Sequence, residues 1–498
     1  MLGASQLQMV RHMPELDLVI RHGTVVTAAD RFRCDVGIRG GRIVALGEGL
    51  PRAAKEIDAA DRLVLPGGVD SHCHIEQLSG MGVWNADDFY TGTVAAAFGG
   101  TTTVIPFAAQ HRGQSMREVV ADYRERAGKA VVDHAFHMIV SDPSEAVLEE
   151  LPALIRDGYS SLKLFMTYPL LRLDDAQMLE LLSLARRERA MVSVHAENDA
   201  MLAWTTRRLL ERGHRAPKFH AISHPRIAEA EAVNRLIAMA ALVDQPVVVF
   251  HVTTEGAMRA IRDAQTAGHK VFAETCPQYL LLEATDLDKP GLEGAKWMFS
   301  PPARDGADRA AIWRGVQNGT LQMVTSDHAP YRFDQTGKLA KGPDPDFKQI
   351  ANGIPGIELR LPLMFSEGVV AGRIEPERFV ALCCTNPAKI YGLHPRKGTI
   401  AIGADADLAV WDPEKTVEIT DATTHDATGY CPYAGMTVTG WPITVISRGE
   451  VIVDDGELLA ERGRGRFLPR AAGDAARPVG MRMPETDPAR NFGAALLD

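Results

Sequence analysis

Cysteine, aromatic residues and long apolar runs are all scarce in this chain. Its six cysteines (Cys34, Cys73, Cys276, Cys383, Cys384 and Cys431) are spread over 498 residues and form no CxxC pair. That argues against a disulfide framework and for reduced thiols. No stretch of about 20 apolar residues occurs, so no membrane span is expected. The opening stretch MLGASQLQMVRHMPELDLVI lacks the unbroken apolar segment of a signal peptide, and a cytoplasmic location is the expectation. No basic stretch stands out, and the net charge is -10, which argues against a nucleic-acid partner. No internal repeat is found. What remains is a chain of ordinary apolar and charged content, long enough for a large enzyme core.

Two textures alternate along it. Residues 15–66 read as β-rich, with apolar and polar residues alternating between glycine-containing turns (LDLVIRHGTVVT, CDVGIRGGRIVALG). The same pattern returns after residue 395 in GTIAIGADADLAVWDP and MTVTGWPITVISRGEVIVDDGEL. Two β-rich ends around a different middle predict one small β-sandwich domain formed by both chain termini, residues 1–66 and 395–470. The middle, 67–394, alternates strand-like runs (VDSHCHI, TTTVIPF, HAFHMIV, SSLKLFM, MVSVHAE, PVVVFHV, KVFAETC, QMVTSDH) with amphipathic stretches such as DDAQMLELLSLARRERA. Eight strand–helix units predict an α/β fold with a closed, TIM-like (β/α)8 barrel. The tail, 471–498, rich in Ala, Pro, Gly and charge, reads as disordered or as an arm on a neighbouring subunit.

Metal-ligand residue types sit at or near the ends of five of these runs. His72 and His74 are one residue apart, which on a strand puts both side chains on one face. Lys163 lies within Leu162-Lys163-Leu164-Phe165, where burial disfavours an ammonium and promotes loss of its proton. A neutral amine can add CO2 to give a carbamate, an anionic oxygen ligand able to bridge two metals. His195 in VSVHAEN and His251 in VVVFHVTT end strongly apolar runs, and Asp327 follows MVTS. In this segmentation the candidates fall on strands 1, 4, 5, 6 and 8, at the barrel face that carries active sites. Each has a plainer reading: packing for a strand histidine, a snorkelling or paired lysine for Lys163. Their joint occurrence favours two-metal hydrolytic chemistry. His328 reads as supporting. His134, His137, His220 and His224 lack a partner pattern and read as structural or surface residues, with support of the site as the alternative for His220.

These residues sit in stretches with a specific resemblance. PGGVDSHCHI, SSLKLFMTY, VSVHAEN, ETCPQYL, SPPARD, TSDHAP, NGIPGIE and TNPAKIYGLHPRKGTIAIGADADLAVWDP, in this order and spacing, resemble the dihydropyrimidinase/hydantoinase family of the amidohydrolase superfamily over nearly all of residues 15–470. The resemblance implies two zinc ions bridged by carboxylated Lys163 and a hydroxide. One ion takes His72, His74, Lys163 and Asp327; the other takes Lys163, His195 and His251. Tyr168 matches the tyrosine that polarises the substrate carbonyl, and Ser300 and Asn352 match positions whose backbone groups hold the cyclic amide. Asp327 moves the proton. The expected reaction is hydrolytic opening of a hydantoin, dihydropyrimidine or cyclic imide ring. A homotetramer is also implied. Manganese or cobalt would suit the same ligands.

Two loops depart from the family pattern. Where an apolar loop of the Met-Pro-Phe-Gly-Gly type is usual, Ile75 to Trp84 read IEQLSGMGVW, and Tyr168 is followed by Pro169-Leu170-Leu171. Both loops are expected to face the substituent of the substrate ring, with Met166 as a further wall. Rival readings are an allantoinase- or dihydroorotase-type enzyme, against which FAAQHRGQS and NGIPGIE argue, and a non-catalytic scaffold of the same fold, against which the six intact ligand positions argue.

Overall fold

The eight apolar runs of the middle region become eight parallel strands in the computed structural model, which describes residues 16–497. The barrel strands are β1 (Gly68–Cys73), β2 (Thr101–Ala109), β3 (His137–Ile139), β4 (Ser161–Phe165), β5 (Met191–His195), β6 (Val247–Val249), β7 (Val271–Thr275) and β8 (Met323–Val324). Each pairs in parallel with the next, from Gly68 opposite Thr101 to Thr275 opposite Val324. The ring closes just beyond β8. The Asp327 N–H donates to the His72 carbonyl at 2.9 Å, and the His74 N–H donates to the His328 carbonyl at 2.6 Å. The residues that shut the barrel are thus the candidate ligands themselves and their neighbour.

Almost every strand residue is buried, as expected where helices cover the outside of a sheet and side chains fill the inside. β-Branched and aromatic residues dominate these strands and suit that environment. The covering helices begin at residues that can cap them. Asp88, Ser115, Ser144, Asp174, Asn198, Thr254 and Asp305 each accept a backbone N–H of the first helical turn. These caps fix the loops at the C-terminal mouth of the barrel, where the candidate ligands emerge.

Both ends of the chain build the β-domain. A four-stranded sheet uses Arg42–Gly47, Asp35–Arg39, Leu16–Arg21 and Ala53–Asp58. A seven-stranded sheet joins Thr24–Val26, Arg31–Arg33 and Leu63–Pro66 to Leu408–Glu418, Thr437–Ser447, Glu450–Asp454 and Glu457–Leu458. The termini meet where Leu65 pairs with Ala409. Leu18, Ile20, Val36, Val64, Leu408 and Ile446 pack together as their shared core.

The segment after 470 lies against the chain's own barrel. Asp244 accepts the Val479 and Gly480 N–H groups at 3.1 and 2.7 Å, Lys270 donates to the Asp474 and Arg477 carbonyls, and Arg186 reaches the Leu497 carbonyl at 3.1 Å. Among the described residues no helix is long and apolar enough to cross a membrane.

Candidate active site

The nine residues singled out from the sequence line one cavity of about 310 Å3 at the mouth of the barrel: His72, His74, Lys163, Tyr168, His195, His251, Ser300, Asp327 and Asn352. The Nε2 atoms of His72 and His74 both point at Asp327 Oδ1, at 3.0 and 3.3 Å. The His195 and His251 rings lie 4.4 Å apart across the same space. Tyr168, His251 and Asp327 take positive φ values of 73°, 36° and 46°. Such left-handed backbone in non-glycine residues costs about 1–3 kcal/mol each and is characteristic of residues held for function.

The outer nitrogens of three imidazoles are already committed. His72 Nδ1 contacts Glu274 Oε1, His74 Nδ1 lies 2.8 Å from Gln77 Oε1, and His195 Nε2 lies 2.7 Å from Glu197 Oε2. Neutral imidazole has one N–H, so once that hydrogen is donated outward the inner nitrogen presents a lone pair. His72 and His74 then aim lone pairs at a carboxylate oxygen, an arrangement that calls for a cation between them. Among the described residues, His72, His74 and Asp327 bring ligand atoms within 4.8 Å of one another. The donor set therefore fits a divalent metal.

The electrostatics agree. Burial opposes the charge on Asp327, but His72 and His74 hold its carboxyl well below the usual range. Burial also works against a charged His72, yet Asp327 and Glu274 outweigh it and lift the imidazole to about 9. Without a cation, His72 itself carries the positive charge between the two carboxylates, and a metal would take the place of the proton on Nε2. Burial pushes Lys163 down to about 7, with Glu274 and Asp327 only partly opposing it. Its Nζ sits over the Phe250 ring at 4.0 Å and near the Phe165 ring at 4.7 Å. Burial drives the Tyr168 phenol well above its ordinary value, against a hydrogen bond with Ser300, so it keeps its proton.

Several supporting residues escaped the sequence reading. Glu274 and Glu197 are fully buried carboxylates in ETCPQ and HAEN. Glu197 also accepts from His224 Nδ1 at 2.8 Å, which brings a histidine read as structural behind the site. His220 Nε2 lies 2.9 Å from the Phe299 carbonyl and 3.2 Å from Ser300 Oγ, beside the cavity wall. His328 braces the loop through Asp87 at 3.0 Å and the Gly356 N–H at 3.1 Å. The departing loops do reach the cavity through Gln77, Ser79, Gly80, Met81, Pro169, Leu170 and Leu171. Met166 does not: it packs into the barrel core, contrary to its expected place in the wall.

An eight-stranded barrel with imidazoles, a carboxylate and a buried lysine converging at its mouth defines a metal-dependent hydrolase, and residues 63–452 match the amidohydrolase family. The chain is 43% identical to a D-hydantoinase of Ralstonia pickettii over 91% of this chain and 99% of that one. It is 41% identical to a D-hydantoinase of Geobacillus stearothermophilus, over 91% of this chain and 96% of that one. The crystal structure of the dihydropyrimidinase of Brevibacillus agri superposes with a TM-score of 0.89 at 42% identity, covering 91% and 99% of the two chains. The chain belongs to the hydantoinase/dihydropyrimidinase family of amidohydrolases.

Proposed function

We propose that this protein hydrolyses a cyclic amide or ureide, opening a hydantoin, dihydropyrimidine or cyclic imide ring. The observation that carries this reading is the convergence of His72, His74, Lys163, His195, His251 and Asp327 on one cavity with Tyr168, Ser300 and Asn352 on its wall. Two divalent ions, zinc because imidazole and carboxylate ligands suit it, with manganese or cobalt as the alternatives, are assigned to His72, His74, Asp327 and Lys163, and to Lys163, His195 and His251. Lys163 serves both as a carbamate. When bound, the ions supply Lewis acidity and water ionised near neutral pH.

The chain's own groups do the rest. Asp327 accepts the proton of the attacking water and returns it to the leaving ring nitrogen. Tyr168, kept protonated by burial, donates its O–H to the carbonyl oxygen as negative charge develops there. Ser300 and Asn352 hold the ring amide. They do so through backbone groups, and both residues line the cavity. Met81, Leu170 and Leu171 surround the ring substituent and exclude water from it. The C–N bond breaks, and the product is an N-carbamoyl or other amido acid.

The test is ring opening of dihydrouracil, hydantoins, cyclic imides and allantoin by protein whose metal content is counted in the same preparation. Two metals per chain with turnover of one of the first three classes is the expected result. Turnover of allantoin alone moves the enzyme to the allantoinase type. Absence of metal and turnover after adding zinc and bicarbonate favours a scaffold.

Two variants separate chemistry from support. Tyr168→Phe is expected to lower kcat by about 10^2 without loss of metal, the size of one lost oxyanion donor; a fall in metal content instead makes the tyrosine structural. Gln77→Ala frees the His74 ring and is expected to weaken metal affinity about tenfold in a competitive chelator titration. Unchanged affinity there removes Gln77 from the metal site's support.

The functional division proposed is a catalytic barrel at 67–394 between sandwich segments 1–66 and 395–470, with 471–498 as a tail. Residues 1–15 and 498 lie outside the described residues. The described cysteines are unpaired and buried, which supports assignment to a reducing, cytoplasmic compartment. A homotetramer is the proposed assembly; a monomer mass by solution scattering at micromolar concentration rules it out.

A further inference from the structure

A second polar cleft, of about 280 Å3, lies where the sandwich meets the barrel and shares no lining residue with the catalytic cavity. Four guanidinium side chains line it: Arg42, Arg396, Arg448 and Arg466. Arg42 follows the turn formed by Gly40 and Gly41, whose φ values of 57° and 75° let the hairpin reverse tightly beside the cleft. Arg396 comes from the segment that returns to the sandwich, and Arg448 and Arg466 from its last strands and their exit.

The charges here do not balance. Arg396 pairs with Asp405 at 2.8 Å and Arg448 with Asp133 at 3.1 Å. Glu450 is taken by Arg464 at 3.0 Å. Lys397 contacts Asp133, Asp405 and Asp407 at 2.8, 3.1 and 2.6 Å. The lining residues and the ion pairs they join therefore comprise six cations (Arg42, Arg396, Lys397, Arg448, Arg464, Arg466) and four carboxylates (Asp133, Asp405, Asp407, Glu450). Among the described residues the Arg42 guanidinium bonds only the Gly403 carbonyl, at 3.2 Å; Arg466 gives its backbone N–H to Asp133 at 2.9 Å, and no carboxylate pairs with its guanidinium. Asp17 accepts the Gly40 N–H at the same turn at 2.6 Å, and with its carboxylate counted the cations exceed the acids here by one. In a chain of net charge -10, this cleft is lined by four guanidiniums and two carboxylates, Asp405 and Glu450.

We propose that this cleft binds a dianionic phosphate group of a small molecule. Two guanidiniums without a carboxylate partner face one cleft, and their planar forks suit the paired oxygen acceptors of a phosphate better than a halide. Arg42 and Arg466 make the direct contacts. Arg396 and Arg448, held by Asp405 and Asp133, supply the fixed positive wall. The chain's acidity keeps polyanions such as nucleic acid away, so a small phosphorylated ligand is the class that fits.

The test is calorimetric titration of the metal-loaded protein with inorganic pyrophosphate, and separately with orthophosphate, at ionic strength held constant with sodium chloride. The expected result is saturable binding of one pyrophosphate per chain, weakened at least about tenfold in the Arg42→Gln/Arg466→Gln double variant. Each single variant falls between, and ring-opening activity is unchanged, since neither residue touches the catalytic cavity. Binding equal to that of chloride overturns the proposal. So does binding that survives the double variant, which places the anion at the metal centre. A change in the solution mass of the double variant with no change in pyrophosphate binding also overturns it, and makes the cleft a contact between chains.

Discussion

Replacing Lys163 by alanine is expected to lower ring-opening activity by about three orders of magnitude, because on the proposed assignment the variant loses a metal bridge worth several kcal/mol of transition-state stabilisation. Metal per chain should fall below two in the same preparation. The physical basis is the surroundings of Nζ. It is buried within Leu162, Leu164 and Phe165, stacked over Phe250, and its pKa is pushed down to about 7. An ordinary surface lysine is almost wholly charged at neutral pH; this one is a nucleophilic amine for a good part of the time. The unmodified ammonium could not ligate beside His195 and His251, whereas its carbamate could. Near-normal turnover with two metals in Lys163→Ala removes the bridging role.

The same shift gives a pH dependence with a definite sign. Metal-free protein given zinc and bicarbonate should regain activity slowly below about pH 7 and faster above it, since only the neutral amine adds CO2. For stability, the folded pKa lies below the unfolded value near 10.5, so the unfolded chain binds more protons between the two. Lys163 then adds to the stability of the metal-free protein as pH rises through that window, and its burial penalty is greatest below it. A reconstitution rate that is flat across neutral pH contradicts this account.

The barrel was legible because its strands are apolar runs that alternate with amphipathic stretches. His72 and His74 were legible as a pair because the two-residue repeat of a strand puts them on one face, and both reach Asp327. Lys163 stood out as a charge in a buried strand. The same alternation explains the error at Met166. Lys163 and Phe165 face the cavity, and the next residue, still held by its N–H to the His195 carbonyl at 3.0 Å, falls on the opposite face and enters the core. Glu274 carried no comparable signal. It meets His72 across 202 residues of chain, and nothing local to ETCPQ says which imidazole it will orient. The tail was opaque for a different reason. Its contacts are made by its own backbone N–H and carbonyl groups to side chains elsewhere, among them Asp244, Lys270 and Arg186, and composition does not record them.

Lys397→Met is expected to cost about 3–5 kcal/mol of stability, the usual penalty for removing one partner from a buried ion cluster. The Lys397 side chain is 1% exposed and holds three carboxylates, Asp133 on the barrel and Asp405 and Asp407 on the return to the sandwich. Methionine fills similar space but leaves those carboxylates facing one another, with only Arg448 and Arg396 at their edges. Two measurements distinguish this from a packing defect. Urea unfolding should show the full loss near neutral pH. At acidic pH the difference from the parent should shrink. In the variant the buried carboxyls have folded pKa values above their unfolded ones, so the folded state gains protons and stability as pH falls. In the parent, burial already raises Asp407 while Lys397 opposes it, and the raised Lys397 keeps its own charge far into the alkaline range. A stability loss that is the same at both pH values would assign Lys397 a packing role and leave the junction between barrel and sandwich to its apolar contacts.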